Sequence, residues 1–324
     1  MTPPATPSGA SGTNGASGTS GTDGTSGTDG TVGWLGTGRM GTAMADRLLG
    51  AGTRLLVWNR TPERTRPLVE RGATAVATLP ELARAEVVLV TVPDDGTLRT
   101  VVTGPDGLLS GGRPPAVVVD CSTVSPAASA EVRTAVTGAG AAFLAAPVSG
   151  NPQAVAAGRA SFLVSGPRTA FDRVRPLLGT IAPVVTLLGG AEESRVAKLA
   201  HNLMLGVVTQ ALVEAMALAE KGGVPRAAFA GVLDGSVLAS PFTSAKARAL
   251  AEGDYTPTFT TELLRKDFDL ALAAARRLGV PLLAGALVHQ LLQTAIGHGY
   301  GAADFAALYE VEAHAAGLGE NGDG

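Results

Sequence analysis

Lys198, His201 and Asn202 stand at i, i+3 and i+4 within EESRVAKLAHNLMLGVVTQALVEAMALAEK, a stretch from Glu192 to Lys221 that is apolar on nearly every side. On a helix this spacing projects all three side chains from one face. An ammonium in such surroundings is costly unless it is paired or titrates low, and a lysine that titrates low can exchange a proton with a reacting oxygen. Lys198 is therefore the leading candidate for general acid/base chemistry. His201 titrates near neutrality by its nature and would add a pH dependence of its own. The blander alternatives are a lysine snorkelling to solvent at the helix start and a histidine that makes only a structural hydrogen bond.

A second set of residues suits phosphate. GWLGTGRMG, residues 33–41, sets Gly36-x-Gly38-x-x-Gly41 between a short apolar run and a helical pattern. There Gly36 permits a tight turn, Gly38 lets the backbone approach a pyrophosphate, and Gly41 lets helix and strand pack closely, while the helix start offers free amides to an anion. Thr37, Arg39 and Met40 complete this cofactor-binding loop. At the end of the next apolar run, where an NAD site often carries an acid, the chain reads Asn59-Arg60-Thr61. An acid there would repel a 2′-phosphate; Asn59 does not, Arg60 can grip it through a bidentate fork, and Thr61 adds a hydroxyl. NADP is thus expected over NAD. The alternative is that Asn59 caps the following helix and Arg60 is merely solvated. Arg39 is a further candidate for the phosphate, or another solvated side chain.

These groups need elements to hold them. TVGWLG, RLLVWN, EVVLVTVP and AVVVDCS read as short apolar strands, and the segments between them, such as GRMGTAMADRLLGAG, a polar stretch from Pro62, PELARA and SPAASAEVRTAV, read as helices. Strands that alternate with helices predict a parallel sheet covered on both faces. After Glu192 the pattern is helical throughout, with glycine and proline at the junctions. The expected fold is an α/β Rossmann domain, doubly wound and mostly parallel, over 31–190, followed by an all-α domain over 191–324. From Gly9 to Gly30 a glycine recurs at every third position among small polar residues, without the prolines a collagen helix requires, so 1–30 are expected to form a flexible tail.

Composition narrows the partners. A chain of 324 residues with 45% hydrophobic and 16% charged residues can bury two ordinary cores. Its net charge of −3, without a basic block or aromatic ladder, argues against nucleic acid. No uninterrupted apolar run reaches membrane-spanning length and no secretion signal opens the sequence, so a cytoplasmic protein with no membrane partner is expected. Cys121 is the single cysteine, which leaves no intrachain disulfide and no thiolate zinc cluster. The adjacent Asp94 and Asp95 invite a metal, yet carboxylates just after a strand more often serve turns and caps, and no metal is expected.

The order GWLGTGRMG, VTVPDD, DCSTVSP, APVSGN, KLAHN and KDFDLAL, from about Thr31 to Ala313, resembles the β-hydroxyacid dehydrogenases. That resemblance implies hydride transfer between a nicotinamide cofactor and a small 3-hydroxy acid or its aldehyde, in a homodimer or tetramer assembled through the helical domain. It implies that Val92 and Pro93 line the nicotinamide side, Ser122 faces substrate, Thr123 contacts cofactor, and Lys266 reaches toward the cofactor beside Asp267. Ser149 and Gly150 match a loop that holds the substrate carboxylate; Asn151 replaces the usual glycine, either crowding the pocket or adding an amide contact. Lys198 matches the proton-exchanging lysine and Asn202 the residue that steadies the substrate oxygen. His201, placed with the substrate residues, stands where an asparagine is usual. Alternatives are an imine reductase, in which an Asp or Tyr commonly replaces the lysine, a nucleotide-binding protein without turnover, and a scaffold built on the long helix.

Overall fold

A computed structural model describes residues 30–318. The glycine-periodic segment expected to be a tail lies, apart from Gly30, outside the described residues. The first half runs β1 (Val32–Leu35), α1 (Arg39–Gly50), β2 (Leu55–Trp58), α2 (Arg66–Val69), β3 (Thr74–Ala75), α3 (Leu79–Leu82), β4 (Val87–Val90), α4 (Asp95–Thr103), β5 (Val117–Asp120) and α5 (Pro126–Gly138). It continues through β6 (Ala142–Ala145), β7 (Val148–Ser149), α6 (Pro152–Ala156), β8 (Ser161–Ser165), α7 (Arg168–Ile181) and β9 (Val184–Gly189). Every residue of β1, β4 and β5 is buried, the mark of central strands covered on both faces.

Among the described residues these strands form a nine-stranded sheet in the order β3-β2-β1-β4-β5-β6-β8-β7, with β9 on β8. From β3 to β6 the pairing is parallel; β8 runs antiparallel to both β6 and β7. Alternation along β1 shows how the layers are filled: Trp34 enters the core on one face and Leu35 the core on the other. Because β1 sits between β2 and β4, the chain leaves its carboxyl end at the point where strand order reverses, the place where open α/β sheets bind their ligands.

The second half is helical: α8 (Glu193–Lys221), α9 (Arg226–Asp234), α10 (Pro241–Glu252), α11 (Thr261–Leu278), α12 (Leu283–Gly297) and α13 (Leu308–Ala315). A third core, including Val213, Met216, Leu264, Phe268 and Leu292, fills it. The 29-residue α8 joins the halves. It contacts β8 and β9, and then α9 through α13; Ser194 Oγ hydrogen-bonds Ser165 Oγ at the end of β8 at 2.7 Å and donates to the Ala145 carbonyl at the end of β6 at 3.0 Å. By length and composition α8 is apolar enough to cross a membrane, although no uninterrupted apolar run announces it; here part of its apolar surface packs against the sheet and neighbouring helices, while Met204 and Leu218 stay exposed. The polar stretch from Pro62 is a 3-10 turn, Pro62–Thr65, followed by the four-residue α2, rather than one helix.

Candidate active site

The three glycines of the turn after β1 face different surroundings. Gly36 has φ +92°, and a Cβ there would collide with the Thr91 carbonyl; one on Gly41 would collide with the carbonyl of Gly36. Around Gly38 a Cβ would meet nothing within 4 Å. Two glycines are therefore required by the protein's own packing, and the third borders open space. No side chain caps α1, and the hydroxyls of Thr37 and Thr91 are buried beside the turn without a hydrogen-bond partner. A buried hydroxyl without a partner is costly, so this cradle fits a polar, anion-bearing ligand. It suits the pyrophosphate of a dinucleotide.

Asn59 does not cap the next helix. Its Oδ1 accepts from the Thr37 amide at 3.1 Å and its Nδ2 donates to the Thr61 carbonyl at 2.9 Å, so it ties the glycine turn to the following loop. Arg60 is exposed. Arg39 donates to the Pro257 carbonyl at 3.1 Å and so links the turn to the helical domain, and Met40 packs against the core beneath α1.

At the carboxyl ends of β4 and β5 the next group assembles. The Val92 amide donates to Ser122 Oγ at 2.9 Å, and the Ser122 amide donates to Asp120 Oδ1 at 3.0 Å. Asp120 and Arg195, 0% and 1% exposed, form a buried ion pair at 2.6 Å. The same guanidinium donates to the Ser122 carbonyl at 2.5 Å and to Ser129 Oγ at 3.1 Å. This clamp seats the first turn of α8 on the sheet. Asp94 caps α4 by accepting from the Thr97 amide at 2.7 Å, a bond that holds its carboxyl below the usual range, and Asp95 accepts from the Ser125 amide and hydroxyl.

One turn beyond Arg195, Lys198 is 7% exposed. Burial lowers its pKa to about 8; Asp267 favours the charged form and Lys266 opposes it. From α11, Lys266 Nζ donates to the Pro93 carbonyl at 3.2 Å and the Thr123 carbonyl at 2.9 Å, and lies 3.2 Å from Asp267 Oδ1. That oxygen is buried without a hydrogen bond, while Asp267 Oδ2 accepts from Asn202 Nδ2 at 2.6 Å. Asn202 Oδ1 lies 3.1 Å from His201 Nδ1, and His201 Nε2 lies 3.3 Å from Ser149 Oγ. A continuous polar chain thus runs from Ser149, through His201, Asn202 and Asp267, to Lys266 and the strand ends bearing Pro93 and Thr123.

Beside Ser149, Gly150 has φ +134°, a backbone that favours glycine. Asn151 caps α6, its Oδ1 accepting from the Ala154 amide at 2.8 Å, so the oxygen half of the amide is committed to the fold. The expected residues therefore gather into a glycine turn braced by Asn59, the strand ends joined by Ser122 and Lys266, and the chain around Lys198. Arg60 stays on the surface and Arg39 points to Pro257. The Asp120–Arg195 pair went unanticipated, although an arginine three residues before Lys198 on the same helix was a usable signal.

Residues 31–190 match the NAD binding domain of 6-phosphogluconate dehydrogenase, and residues 193–311 match the NAD-binding region of NADP-dependent 3-hydroxyisobutyrate dehydrogenase. The chain is 35% identical over 267 residues to 3-hydroxyisobutyrate dehydrogenase of Pseudomonas aeruginosa, covering 79% of this chain and 89% of that one. The solved structure of Mycobacterium tuberculosis 3-hydroxyisobutyrate dehydrogenase with L-serine superposes with a TM-score of 0.79 at 28% identity, covering 87% and 98% of the two chains. A reductive aminase from Aspergillus terreus, solved with NADPH4, cyclohexanone and allyl amine, aligns with a TM-score of 0.57 at 25% identity over 88% of this chain and 100% of that one.

Proposed function

The chain belongs to the β-hydroxyacid dehydrogenase family and is an NAD(P)-dependent oxidoreductase, and from that premise we propose that it interconverts a small 3-hydroxy acid and the corresponding aldehyde or keto acid, with NADP(H) as cofactor. The observation that carries this reading is Lys198, a nearly buried lysine of lowered pKa, flanked by a polar chain that joins a carboxylate-binding loop to the strand ends beside the glycine turn. The bound cofactor supplies and accepts the hydride. Gly36 to Gly41 hold its pyrophosphate, Asn59, Arg60 and Thr61 its adenosine phosphate, and Val92, Pro93, Thr123 and Lys266 border its nicotinamide side.

In reduction, protonated Lys198 gives a proton from Nζ to the substrate oxygen as the carbonyl becomes a hydroxyl. In oxidation, neutral Lys198 removes the hydroxyl proton. Asn202, fixed by its bond to Asp267, steadies that oxygen. Ser122, Ser149, Gly150, the free half of Asn151 and His201 line the substrate side, and Ser149 with Gly150 meets the carboxylate. The residues fall into an NADP-binding unit, 31–190, and a substrate and dimerisation unit, 191–324. Exposed Leu218, Val237 and Leu283 on the helical unit favour assembly of copies through it. A soluble, cytoplasmic enzyme without nucleic acid, membrane or metal partner fits this reading.

The reductive aminase likeness keeps imine reduction as a second reading. Lys198 and the Ser149 loop favour the acid over the imine. The test is NADPH consumption with a panel of aldehyde acids, ketones and cyclic imines. Turnover of the aldehyde acids is expected; turnover of imines alone, or tight NADPH binding without any turnover, would replace the dehydrogenase reading.

A further inference from the structure

We propose that His201 is a positioning residue that sets the direction of the Ser149 hydroxyl, so that protonating its ring turns Ser149 into a donor for the substrate carboxylate. The inference deepens the proposed function and rests on the assignment of Ser149 to the carboxylate.

The direction follows from the chain of bonds. Asp267 is a carboxylate beside the Lys266 ammonium and acts as an acceptor, so the Asn202 group 2.6 Å from it is the NH2. The Asn202 oxygen must then face His201 Nδ1, and a hydrogen bond at 3.1 Å exists only if Nδ1 carries the proton. In the neutral ring Nε2 is left with a lone pair, and Ser149, 3.3 Å away, satisfies it by donating. The Ser149 proton is then spent inward, and lone pairs face the pocket. That surface suits a hydroxyl or an ammonium and repels a carboxylate. When the ring gains a proton, Nε2–H donates to Ser149 Oγ, and the hydroxyl proton swings outward toward the substrate.

His201 is exposed and lies beside Ser149, so a carboxylate held at Ser149 can act on it. The charged groups set around it are Lys198 on its own helix and, through Asn202, Asp267 and Lys266 on α11; Ser149, from the sheet side, is uncharged. Partial burial, and more weakly Lys198, hold the imidazole below its usual range, against the bond to Asn202. A carboxylate in the pocket offsets the charge of Lys198, so acid binding and ring protonation favour each other, as linkage requires. Reduction needs the protonated form of Lys198 as well, so both protonations support that direction. An asparagine at position 201 has no second state and would lack this coupling.

The test is nitrogen NMR of the imidazoles in the full chain with NADP+ added, the His201 signals being assigned through His201→Asn. Above its titration midpoint His201 should carry its proton on Nδ1. Saturating 3-hydroxypropionate should raise the midpoint, whereas the neutral 1,3-propanediol should not. Binding of 3-hydroxypropionate should tighten several-fold as pH falls through the midpoint, and His201→Asn should abolish that dependence. Ser149→Ala should keep the Nδ1–H form, which Asn202 sets, and weaken the effect of the acid on the midpoint. An Nε2–H ring, or a midpoint unmoved by 3-hydroxypropionate, overturns the proposal. These readouts need no turnover, so a chain that shows them and reduces no aldehyde acid would sink the dehydrogenase reading alone.

Discussion

Asn202 donates to Asp267 Oδ2 at 2.6 Å, and the same carboxylate favours the charged form of Lys198. One acid therefore orients the residue that steadies the substrate oxygen and tunes the residue that exchanges its proton. Asp267→Asn should lower the pKa of Lys198 further, because the attraction is lost while burial and Lys266 remain. The limb of the oxidation pH profile that reports Lys198 should move to lower pH, and an unmoved limb would separate Asp267 from the lysine.

The direction of the pH dependence follows from which form of Lys198 acts. With its pKa lowered to about 8, the neutral base accumulates as pH rises through that value and the acid is lost. Oxidation should therefore rise through about pH 8 and reduction should fall there, read as kcat/KM in both directions, the parameter that reports the free enzyme. Lys198→Ala should lower kcat by about 10²-fold or more while NADPH affinity stays close to wild type. Unchanged turnover would remove Lys198 from the chemistry.

Gly36 and Gly38 should respond in opposite ways to the same substitution. Gly36→Ala places a methyl against the Thr91 carbonyl at φ +92°, and the strained backbone alone costs about 1–3 kcal/mol, visible as a lowered Tm. Gly38→Ala meets nothing within 4 Å, so the fold should keep its stability to within about 1 kcal/mol while the cofactor binds much more weakly. Unaltered cofactor affinity in Gly38→Ala would show that the open face of the turn holds no pyrophosphate.

Arg60 is exposed, so its loss should leave the fold intact. Arg60→Ala should weaken NADPH by about tenfold or more, the worth of a charge-assisted hydrogen bond, and leave NADH nearly unaffected. Equal losses for both cofactors, measured by fluorescence titration, would refute the 2′-phosphate assignment.

Arg195 should be the costliest single loss near the site. Arg195→Met leaves Asp120 buried and uncompensated, which costs about 3–5 kcal/mol in denaturant unfolding. Adding Asp120→Asn should recover part of it, because the stranded charge is gone. A single variant as stable as wild type would mean that the pair does not seat α8 on the sheet.

The sequence by itself determined whatever depends on local spacing. Apolar runs marked the central strands, the glycines at 36, 38 and 41 marked the turn between strand and helix, and the i, i+3, i+4 spacing put Lys198, His201 and Asn202 on one face of α8. The strands after β5 were not legible: β7 is only two residues long, and β9 has no buried residue, so neither forms the fully buried apolar run that marks β1, β4 and β5. Only the tertiary structure decided which options each polar side chain took. Asn59 braces the glycine turn instead of capping a helix, Asn151 spends its oxygen on α6, Arg39 turns to Pro257, and Lys266 reaches the Thr123 carbonyl 143 residues away. Spacing fixes the face from which a side chain leaves its element. Its partner, its pKa and the direction of its hydrogen bonds depend on what the rest of the chain packs against that face.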